Sequence, residues 1–550
     1  MFGQGNLLGL AADQIDLRKI DRLLRIFPTQ FSFPASSSSP LSDLELRLRH
    51  LLPASLYASV WVDPSPEHLM QVFQHLRTMQ QILHDYTPHQ LSDDPPRPGQ
   101  IRYSWQEGTL LFTDLAGFTP LMEVNAASGQ QGAVELLQLL NRYFSAMIEI
   151  ISKSGGDLLE FTGDAILVQF LASKQGGDPA QAVRAGLRMQ RAMAHFRDID
   201  TPQGHFSLEM RVGIHSGRFL AADIGTPERM VHVLLGQTVQ QAKRAEGRGT
   251  VGRVCVTRAA GDRLPAQLQL EPIDPHDQDV HHQLVVDDLE IEALGEYDIT
   301  LPRRRSAMSV LFDRSLEGLV DEIGGAVTRI EPLACFMPAP ILNLLVESAA
   351  QRQLVPDFPI PTIVFINLLG LPESVDLATA SEVEGVVARF SQTFALIHAA
   401  ARSQGGILQK VTYHSLGSDM LLYFGALGSH PTDRVRAAET ALAVRQIVAQ
   451  VPAPTVDGQL ISISCRIGIA QGAVFAGEIG EPRGRREFNL LGDPVNTAAR
   501  LMSRAAPNQI LLSEDVQQAI APHFHCQAIG NLTLKGKAAA MAVFELVGAT

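Results

Sequence analysis

Short runs of apolar residues alternate along the chain with longer segments whose apolar positions recur every three or four residues. Residues 108–113, 165–170 and 209–214 are apolar and β-branched runs, which predict strands. Residues 134–156 and 386–406 carry apolar side chains at helical spacing, and each segment ends on a Gly-Gly pair that predicts the end of a helix. The pattern indicates an α+β or α/β chain in which amphipathic helices cover a sheet.

The same pattern occurs twice. Residues 211–225 recur at 466–480 with seven of fifteen positions identical, at an offset of 255. Two further pairs agree with this offset to within a few residues: LLFTDLAGFT (110–119) with IVFINLLGLP (363–372), and VHVLLGQTVQQAKR (231–244) with EFNLLGDPVNTAAR (487–500). A long-period repeat of this kind predicts two homologous domains in tandem.

Four regions follow from the repeat. The two copies predict domains at 101–300 and 360–550. Residues 1–100 lie outside the repeat and predict an N-terminal helical region, and residues 301–359 predict a linker with structure of its own.

Composition limits the classes of partner. The chain has 550 residues and a net charge of -13, from 45 basic and 58 acidic side chains. Binding to nucleic acid needs clustered Lys and Arg, so no nucleic-acid partner is expected. There is no apolar run long enough to predict a transmembrane segment, and the four cysteines are widely spaced, as is typical of reduced thiols. A cytoplasmic protein is expected.

Two aspartates in the first copy are candidates for chemistry. Asp114 lies in FTDLAGFT (112–119), and Asp164 follows 50 residues later in FTGDA (161–165), each beside an apolar strand. Two carboxylates at neighbouring strand ends suit Mg²⁺, which takes few protein oxygens and completes its shell with water and phosphate. The loop after Asp114 offers backbone N–H groups to an anion. Together they predict a two-metal site for phosphoryl or nucleotidyl transfer.

These motifs carry a family resemblance. FTDLAGFT, FTGDAILVQF, MRVGIHSGR and LLGDPVNTAARLM resemble the class III nucleotidyl cyclase catalytic domain. Their order, with TIVFINLLG followed by GGILQKV, is most similar to the tandem catalytic domains of soluble, bicarbonate-responsive-type adenylyl cyclases. The resemblance implies two ferredoxin-like-type domains packed head to tail as a pseudo-symmetric heterodimer within one chain. It also implies conversion of ATP to cyclic AMP and pyrophosphate.

The resemblance also implies a role for each site residue. The metal ligands for two Mg²⁺ or Mn²⁺ ions would be Asp114, Asp164 and the Leu115 carbonyl. The catalytic pair would be Asn496, which orients the ribose, and Arg500, which steadies the α-phosphate. The remaining substrate contacts would be Gly117, Phe118, Thr119, Arg211, Lys410, Asn489 and Lys535. Lys410 can donate to N1 of adenine but opposes the N1–H of guanine, whereas Asn489 suits either base.

The second potential site lacks these groups. Asn367 replaces the first metal aspartate, and Asp419 is offset from the position of the second. Gln240 replaces the ribose asparagine, and Glu160 replaces the purine lysine. This pseudo-site is expected to be non-catalytic. As a regulatory site it would consist of Glu160, Lys243 and Arg244 and would bind bicarbonate or another small effector. Bicarbonate would bind there only if Lys243 or Arg244 paired with Glu160.

Two alternatives to an adenylate cyclase stay open. One is a guanylate cyclase, since base choice depends on two residues. The other is a non-catalytic regulatory module, since one site has already lost its metal ligands. Larger relatives continue beyond the second domain, so the chain could be a fragment of a longer protein.

Overall fold

The computed structural model describes residues 41–173, 176–201, 204–273, 281–290, 294–295, 315–350, 354–413, 415–481, 484–533 and 540–550. The described part of the chain begins with a short 3-10 turn at Ser42–Leu44, and four helices follow it. They are α1 (Glu45–Leu51), α2 (Ala54–Val62), α3 (Pro66–Tyr86) and α4 (His89–Asp93). The long helix α3 buries one apolar stripe, as its sequence period predicts. No helix among the described residues is long and apolar enough to cross a bilayer.

Within the described residues the first half contains ten strands, eight of which form one sheet. Its strands are β1 (Arg102–Ala116), β2 (Asp157–Thr162), β3 (Ala165–Leu171), β4 (Ile199–Thr201), β5 (Gly204–Phe206), β6 (Glu209–Thr226), β7 (Arg229–Leu235), β8 (Val254–Thr257), β9 (Leu270–Pro272) and β10 (His282–Val285). Its helices are α5 (Phe118–Ala127), α6 (Gly129–Lys153), α7 (Asp178–Ala192), α8 (Gln237–Arg248) and α9 (Arg258–Gly261), with a 3-10 turn at Met193–Phe196. The strand order is β2-β3-β1-β6-β8-β10-β9, with β7 paired to β6 and β4–β5 forming a separate hairpin.

Two helices then connect the halves, α10 (Leu316–Ala334) and α11 (Ala339–Ala350). The second half follows with β11 (Thr362–Leu369), β12 (Ile407–Tyr413), β13 (Ser418–Phe424), β14 (Thr455–Val456), β15 (Gln459–Leu460), β16 (Ser464–Gln471), β17 (Phe475–Gly480), β18 (Arg486–Leu491), β19 (Ile510–Ser513), β20 (Phe524–Leu532) and β21 (Met541–Ala549). Its helices are α12 (Leu371–Ser374), α13 (Ala380–Ser403), α14 (Asp433–Gln450), α15 (Asp493–Arg504) and α16 (Glu514–Ile520).

The two sheets have the same core topology. In the second half the strand order is β12-β13-β11-β16-β19-β21-β20, which repeats the order of the first. In both, a βαββαβ unit forms the centre, as in ferredoxin-like folds. The Gly-Gly ends of the long helices α6 and α13 also correspond, since Gly155 and Gly405 both adopt positive φ, at 80° and 76°. The α+β class predicted from the sequence is confirmed.

The halves exchange apolar side chains. Three residues of the β17–β18 region, Phe475, Ile479 and Leu491, are buried in the core of the first half. In the opposite direction, the extension of β6 and the strand β7 contribute Leu220, Ala222, Ile224, Val231, Val233 and Leu235 to the core of the second half. The contacts are therefore reciprocal, as expected of two domains packed head to tail.

The N-terminal helices and the connecting helices pack together. Apolar residues of α3, α10 and α11 share one cluster with the second sheet, including Ile363, Phe365 and Tyr423. At the C-terminal end of α3, Asp85 forms an ion pair with Arg486 at 2.9 Å, and the Tyr86 hydroxyl donates to Glu478 at 2.9 Å. The helical region is thus bound to β17 and β18.

The exchanged side chains should control stability. Phe475→Ala removes a fully buried ring that lies between the halves. We expect the free energy of unfolding to fall by about 3–5 kcal/mol, which urea denaturation followed by circular dichroism will measure. The exposed Leu460→Ala serves as the control and should change it by less than about 0.5 kcal/mol. An equal, small loss in both variants would contradict the packing described here.

Candidate active site

Asp114 lies on a central strand and faces a cation. It occupies β1 two residues before the strand ends, in register with Arg211 on β6. The two side chains form an ion pair, and the Arg211 guanidinium also lies 3.3 Å from a Glu246 carboxylate oxygen. Lys243 lies 3.0 Å from the other oxygen of Glu246. Two carboxylates and two cations therefore alternate at this end of the sheet.

Asp164 lies in the turn between β2 and β3, next to β1 in the sheet. Burial, together with repulsion from the Asp114 carboxylate, raises the pKa of Asp164 to about 7. The carboxylates of Asp114 and Asp164 are therefore close enough to interact electrostatically. A divalent cation between them would relieve it, since metal binding favours the deprotonated carboxylate.

The residues present fit a magnesium or manganese site in which water and substrate phosphate complete the coordination shell. No group of three or more His, Cys, Asp or Glu side chains is arranged to hold a metal ion in the part of the chain that the structure describes. Mg²⁺ needs no such group, because one or two carboxylates plus substrate phosphates suffice. Leu115 follows Asp114 on β1, and its side chain is buried in the core.

The loop after Asp114 is tightly built. Gly117 has φ of 88° and precedes α5, and a Cβ there would lie 2.3 Å from the Ser207 carbonyl oxygen. Only glycine fits this close approach and this backbone conformation. The Phe118 side chain is buried in the core, so this residue can offer a ligand only its backbone. Thr119, in contrast, is half-buried.

Lys410 and Asn489 of the second half contact the hairpin that carries Asp164. The Lys410 ammonium donates to the Phe161 carbonyl on β2 and forms an ion pair with Glu487 on β18. The Asn489 amide donates to the Gly163 carbonyl at 3.5 Å, and its oxygen accepts from Gln409 at 3.4 Å. Both predicted base-recognition residues thus contact the hairpin on which one predicted metal carboxylate, Asp164, lies.

Helix α15 begins against the first half. A Cβ on Gly492, which precedes the helix, would lie 2.9 Å from the Met122 sulfur on α5. Asn496 and Arg500 follow on α15, one helical turn apart, and both are half-buried. Within the described residues, neither side chain makes a hydrogen bond or an ion pair. Lys535 lies outside the described residues.

The corresponding groups of the second copy satisfy one another. The Asn367 amide on β11 donates to the Asp419 carboxylate at 2.8 Å and to the Leu416 carbonyl at 2.9 Å. Asn367 and Asp419 are direct cross-strand partners, and Gln240 is buried on α8. The Asp419 carboxylate therefore accepts a hydrogen bond from the Asn367 amide, whereas a metal site would need this carboxylate as a ligand.

The structure does not bring Glu160, Lys243 and Arg244 together. Lys243 pairs with Glu246, and Arg244 donates to the Ser415 carbonyl at 3.0 Å. Glu160 lies instead in the field of Lys410, Glu487 and Arg485, and burial raises its pKa to about 8. The cation that bicarbonate would require beside Glu160 does not come from Lys243 or Arg244.

Sequence reasoning missed two carboxylates, Glu246 and Glu487. Each is buried or half-buried and pairs with a predicted site cation, Arg211 or Lys410. Glu246 lies outside the repeated segments, and Glu487 opens the segment 487–500 without matching a residue of the same kind in the first copy, where Val231 stands. Both carboxylates are recognised only in the folded structure, where each lies against a predicted site cation.

Comparisons with known proteins show the family of the chain. The family model of the adenylate and guanylate cyclase catalytic domain matches residues 102–280 and 359–548. Among curated relatives, adenylate cyclase type 10 of Oryctolagus cuniculus is 23% identical over 428 residues, 74% of this chain and 24% of that protein. Adenylate cyclase 1 of Rhizobium meliloti (strain 1021) is 28% identical over 166 residues, 30% of this chain and 24% of that protein. The chain thus spans about a quarter of each relative's length.

A solved structure is similar over both halves. A class III adenylyl cyclase-like ATP-binding protein from Pseudomonas aeruginosa aligns with a TM-score of 0.52 at 12% identity. The alignment covers 82% of this chain and 92% of that chain. At this identity the likeness shows the fold alone, and it confirms the predicted architecture.

Glu160 should make stability depend on pH. A carboxyl whose pKa rises from 4.5 to about 8 on folding stabilises the protein at low pH, and this contribution is lost as the pH rises through that interval. Relative to Glu160→Gln, the wild type should therefore lose free energy of unfolding between about pH 5 and pH 8. Urea denaturation at several pH values will measure the difference. The exposed Glu123→Gln serves as the control, and a difference independent of pH would contradict the assignment.

Proposed function

Since the chain belongs to the adenylate and guanylate cyclase catalytic domain family, we propose that it converts ATP to cyclic AMP and pyrophosphate. The reaction would occur at one site shared by the two halves. A single observation carries the proposal: Lys410 and Asn489 of the second half bond to the β2–β3 hairpin that holds Asp164 of the first. This contact supports a shared cleft in which the second half would supply base-recognition groups and the first half metal carboxylates.

The chain's own residues position the substrate. Two Mg²⁺ or Mn²⁺ ions, when bound at Asp114 and Asp164, would supply Lewis-acid activation of the ribose 3′ hydroxyl and of the phosphates. Arg211 would exchange its contact with Asp114 for a triphosphate oxygen. Arg500 has a guanidinium without an internal partner among the described residues, and it would meet the charge that develops on the α-phosphate. Asn496, one turn earlier, would orient the ribose.

Base recognition depends on the third proton of Lys410. An ammonium group has three donors, and the Phe161 carbonyl and Glu487 take two of them. The third can donate to N1 of adenine, which accepts, whereas N1 of guanine carries a proton. Adenine is therefore the favoured base, and Glu487 would act as a positioning residue for Lys410.

The second cleft is proposed to be non-catalytic. Asn367 cannot supply the negative charge that a metal ion needs, and it already donates to Asp419. The active site is therefore single, although the fold is duplicated. This intramolecular pairing of two unequal domains is part of the proposal.

Removing either half of the site should abolish turnover. We expect Asp114→Asn and Arg500→Ala each to lower the rate of cyclic AMP formation by about 100-fold or more, measured by chromatography of nucleotides with Mn²⁺ or Mg²⁺. Arg504→Ala, an exposed arginine on the same helix, is the matched control and should retain wild-type activity. Unchanged rates in both site variants, with folding verified by circular dichroism, would refute the assignment.

Exchanging the charges of one ion pair should change base preference. The double variant Lys410→Glu with Glu487→Lys keeps an ion pair but presents a carboxylate to the base. We expect the ratio of kcat/KM for ATP to that for GTP to fall by at least about tenfold, because a carboxylate accepts from N1–H of guanine. The charge exchange Arg191→Asp with Asp287→Arg, at an ion pair in the first half, provides the control. An unaltered ratio in the Lys410 variant would exclude Lys410 from base recognition.

A further inference from the structure

We propose that the Lys243 ammonium is an internal counter-ion of the predicted metal site, which keeps the affinity for divalent metal low until a nucleotide binds. The inference rests on the proposed function, because it takes Asp114 and Asp164 as the metal carboxylates. Lys243 would act as a positioning residue: its charge sets when a metal ion can approach these carboxylates, and it need not touch the substrate.

Lys243 lies on the face of the first sheet that carries the Asp114 carboxylate. Its helix, α8, packs so closely on β6 that a Cβ at Gly213 would lie 1.9 Å from the Glu246 backbone nitrogen. The Lys243 ammonium lies 5.5 Å from the centre of the Phe112 ring on β1. Asp114 follows two residues later on the same strand, so its side chain and the Phe112 ring lie on one face of the sheet. The ammonium is therefore on the same side of the sheet as the predicted metal ligand.

The charge of Lys243 acts on both predicted metal carboxylates. The Lys243 side chain is 25% exposed and that of Glu246 is 4% exposed, so water screens their interaction only partly. Burial opposes the charged form of Lys243, but the carboxylates of Glu246, Asp114 and Asp164 outweigh it and raise the pKa of Lys243 above its usual value. Lys243 is therefore a cation at neutral pH.

Arg211 adds a second cation to the same group. It pairs with Asp114 and lies 3.3 Å from Glu246. Arg211 and Lys243 thus face the three carboxyl groups of Asp114, Asp164 and Glu246, which leaves at most one net negative charge. Two nearby cations repel a divalent ion and offset its attraction to the carboxylates. A nucleoside triphosphate brings several negative charges of its own, so metal ion and nucleotide would bind together.

The second copy replaces this ion pair. A Cβ at Gly468 would lie 2.4 Å from the Met502 backbone nitrogen, which is the same close approach that the first copy makes at Glu246. Met502 and Glu246 therefore occupy equivalent positions, and three residues earlier Ala499 stands where the first copy has Lys243. Both copies pack the helix equally closely on the strand, so packing alone does not call for a lysine and a glutamate here. The pair lies in the copy that carries both predicted metal carboxylates.

Titration of Mn²⁺ into the full chain, with free Mn²⁺ measured by electron paramagnetic resonance, tests the inference without turnover. In the absence of nucleotide, Lys243→Gln should tighten Mn²⁺ binding by at least about tenfold, because the variant removes a repelling charge. Lys243→Arg keeps the charge and should retain wild-type affinity. Lys153→Gln is the matched control, because Lys153 also pairs with a glutamate of its own helix, Glu149 at 2.7 Å. It should leave the affinity unchanged.

A further substitution locates the ion. Asp114→Asn combined with Lys243→Gln should remove the gain in Mn²⁺ affinity, because the tighter binding depends on that carboxylate. A gain that persists in this double variant would overturn the inference. So would wild-type affinity in folded Lys243→Gln, or equally tightened binding in Lys243→Arg. If Lys243→Gln does not fold, Glu246→Gln removes the carboxylate that balances Lys243 and should weaken Mn²⁺ binding by at least about tenfold. Unchanged affinity in Glu246→Gln would then refute the role of Lys243.

A non-cyclising ATP analogue separates this inference from the proposed function. The analogue should tighten Mn²⁺ binding more in the wild type than in Lys243→Gln, because the variant has already lost the repulsion that the phosphates offset. An equal effect in both proteins would overturn the role of Lys243 while leaving the metal site in place. Failure of Mn²⁺ to bind even with the analogue would refute the metal site itself, and with it the proposed function.

Discussion

Each half of the chain completes the core of the other. Phe475, Ile479 and Leu491 are buried in the first half, and the β6–β7 extension is buried in the second. Neither sheet could retain this packing alone, because each would expose an apolar surface of the kind that monomeric proteins rarely leave uncovered. The exchanged strands also carry the polar groups of the cleft. Asn489 lies on β18 two residues before Leu491, which is buried in the first half, so the packing that stabilises the fold also fixes the position of Asn489.

Asymmetry is added to this symmetric frame by a few substitutions at equivalent positions. Asp114 corresponds to Asn367, and Glu160 corresponds to Lys410. Each difference changes the local electrostatics. The Asp114 carboxylate, which pairs with Arg211, is replaced by the Asn367 amide, which donates to Asp419. The Lys410 ammonium, which pairs with Glu487, is replaced by the Glu160 carboxyl, whose pKa burial raises. These substitutions are the basis for proposing a single catalytic cleft in a duplicated fold.

The sequence was sufficient to predict the fold class and several of the main helices and strands. Helical spacing and the Gly-Gly ends predicted α6 and α13, and the repeat predicted two similar sheets. Asp114 was expected at a strand end, but β1 continues two residues beyond it and is a central strand. Hydrogen bonding to β6 across the whole of β1 extends the strand, and a local apolar run cannot predict such a partner.

Tertiary contacts account for what the sequence did not reveal. Glu246 and Glu487 acquire their roles only when folding places them against Arg211 and Lys410. The apolar stripe of α3 predicts a buried face but does not identify what covers it, which is α10 and the second sheet.

The central claim is that one nucleotide binds between Asp114 and Asp164 of the first half and α15 of the second. A crystal structure of the chain with Mn²⁺ and a non-cyclising ATP analogue tests it most directly. The account predicts one nucleotide per chain, with its base at Lys410, its ribose at Asn496 and anomalous scattering from Mn²⁺ at the two aspartates. A nucleotide in the cleft of Asn367 and Arg244, or one bound entirely within a single half, would contradict it.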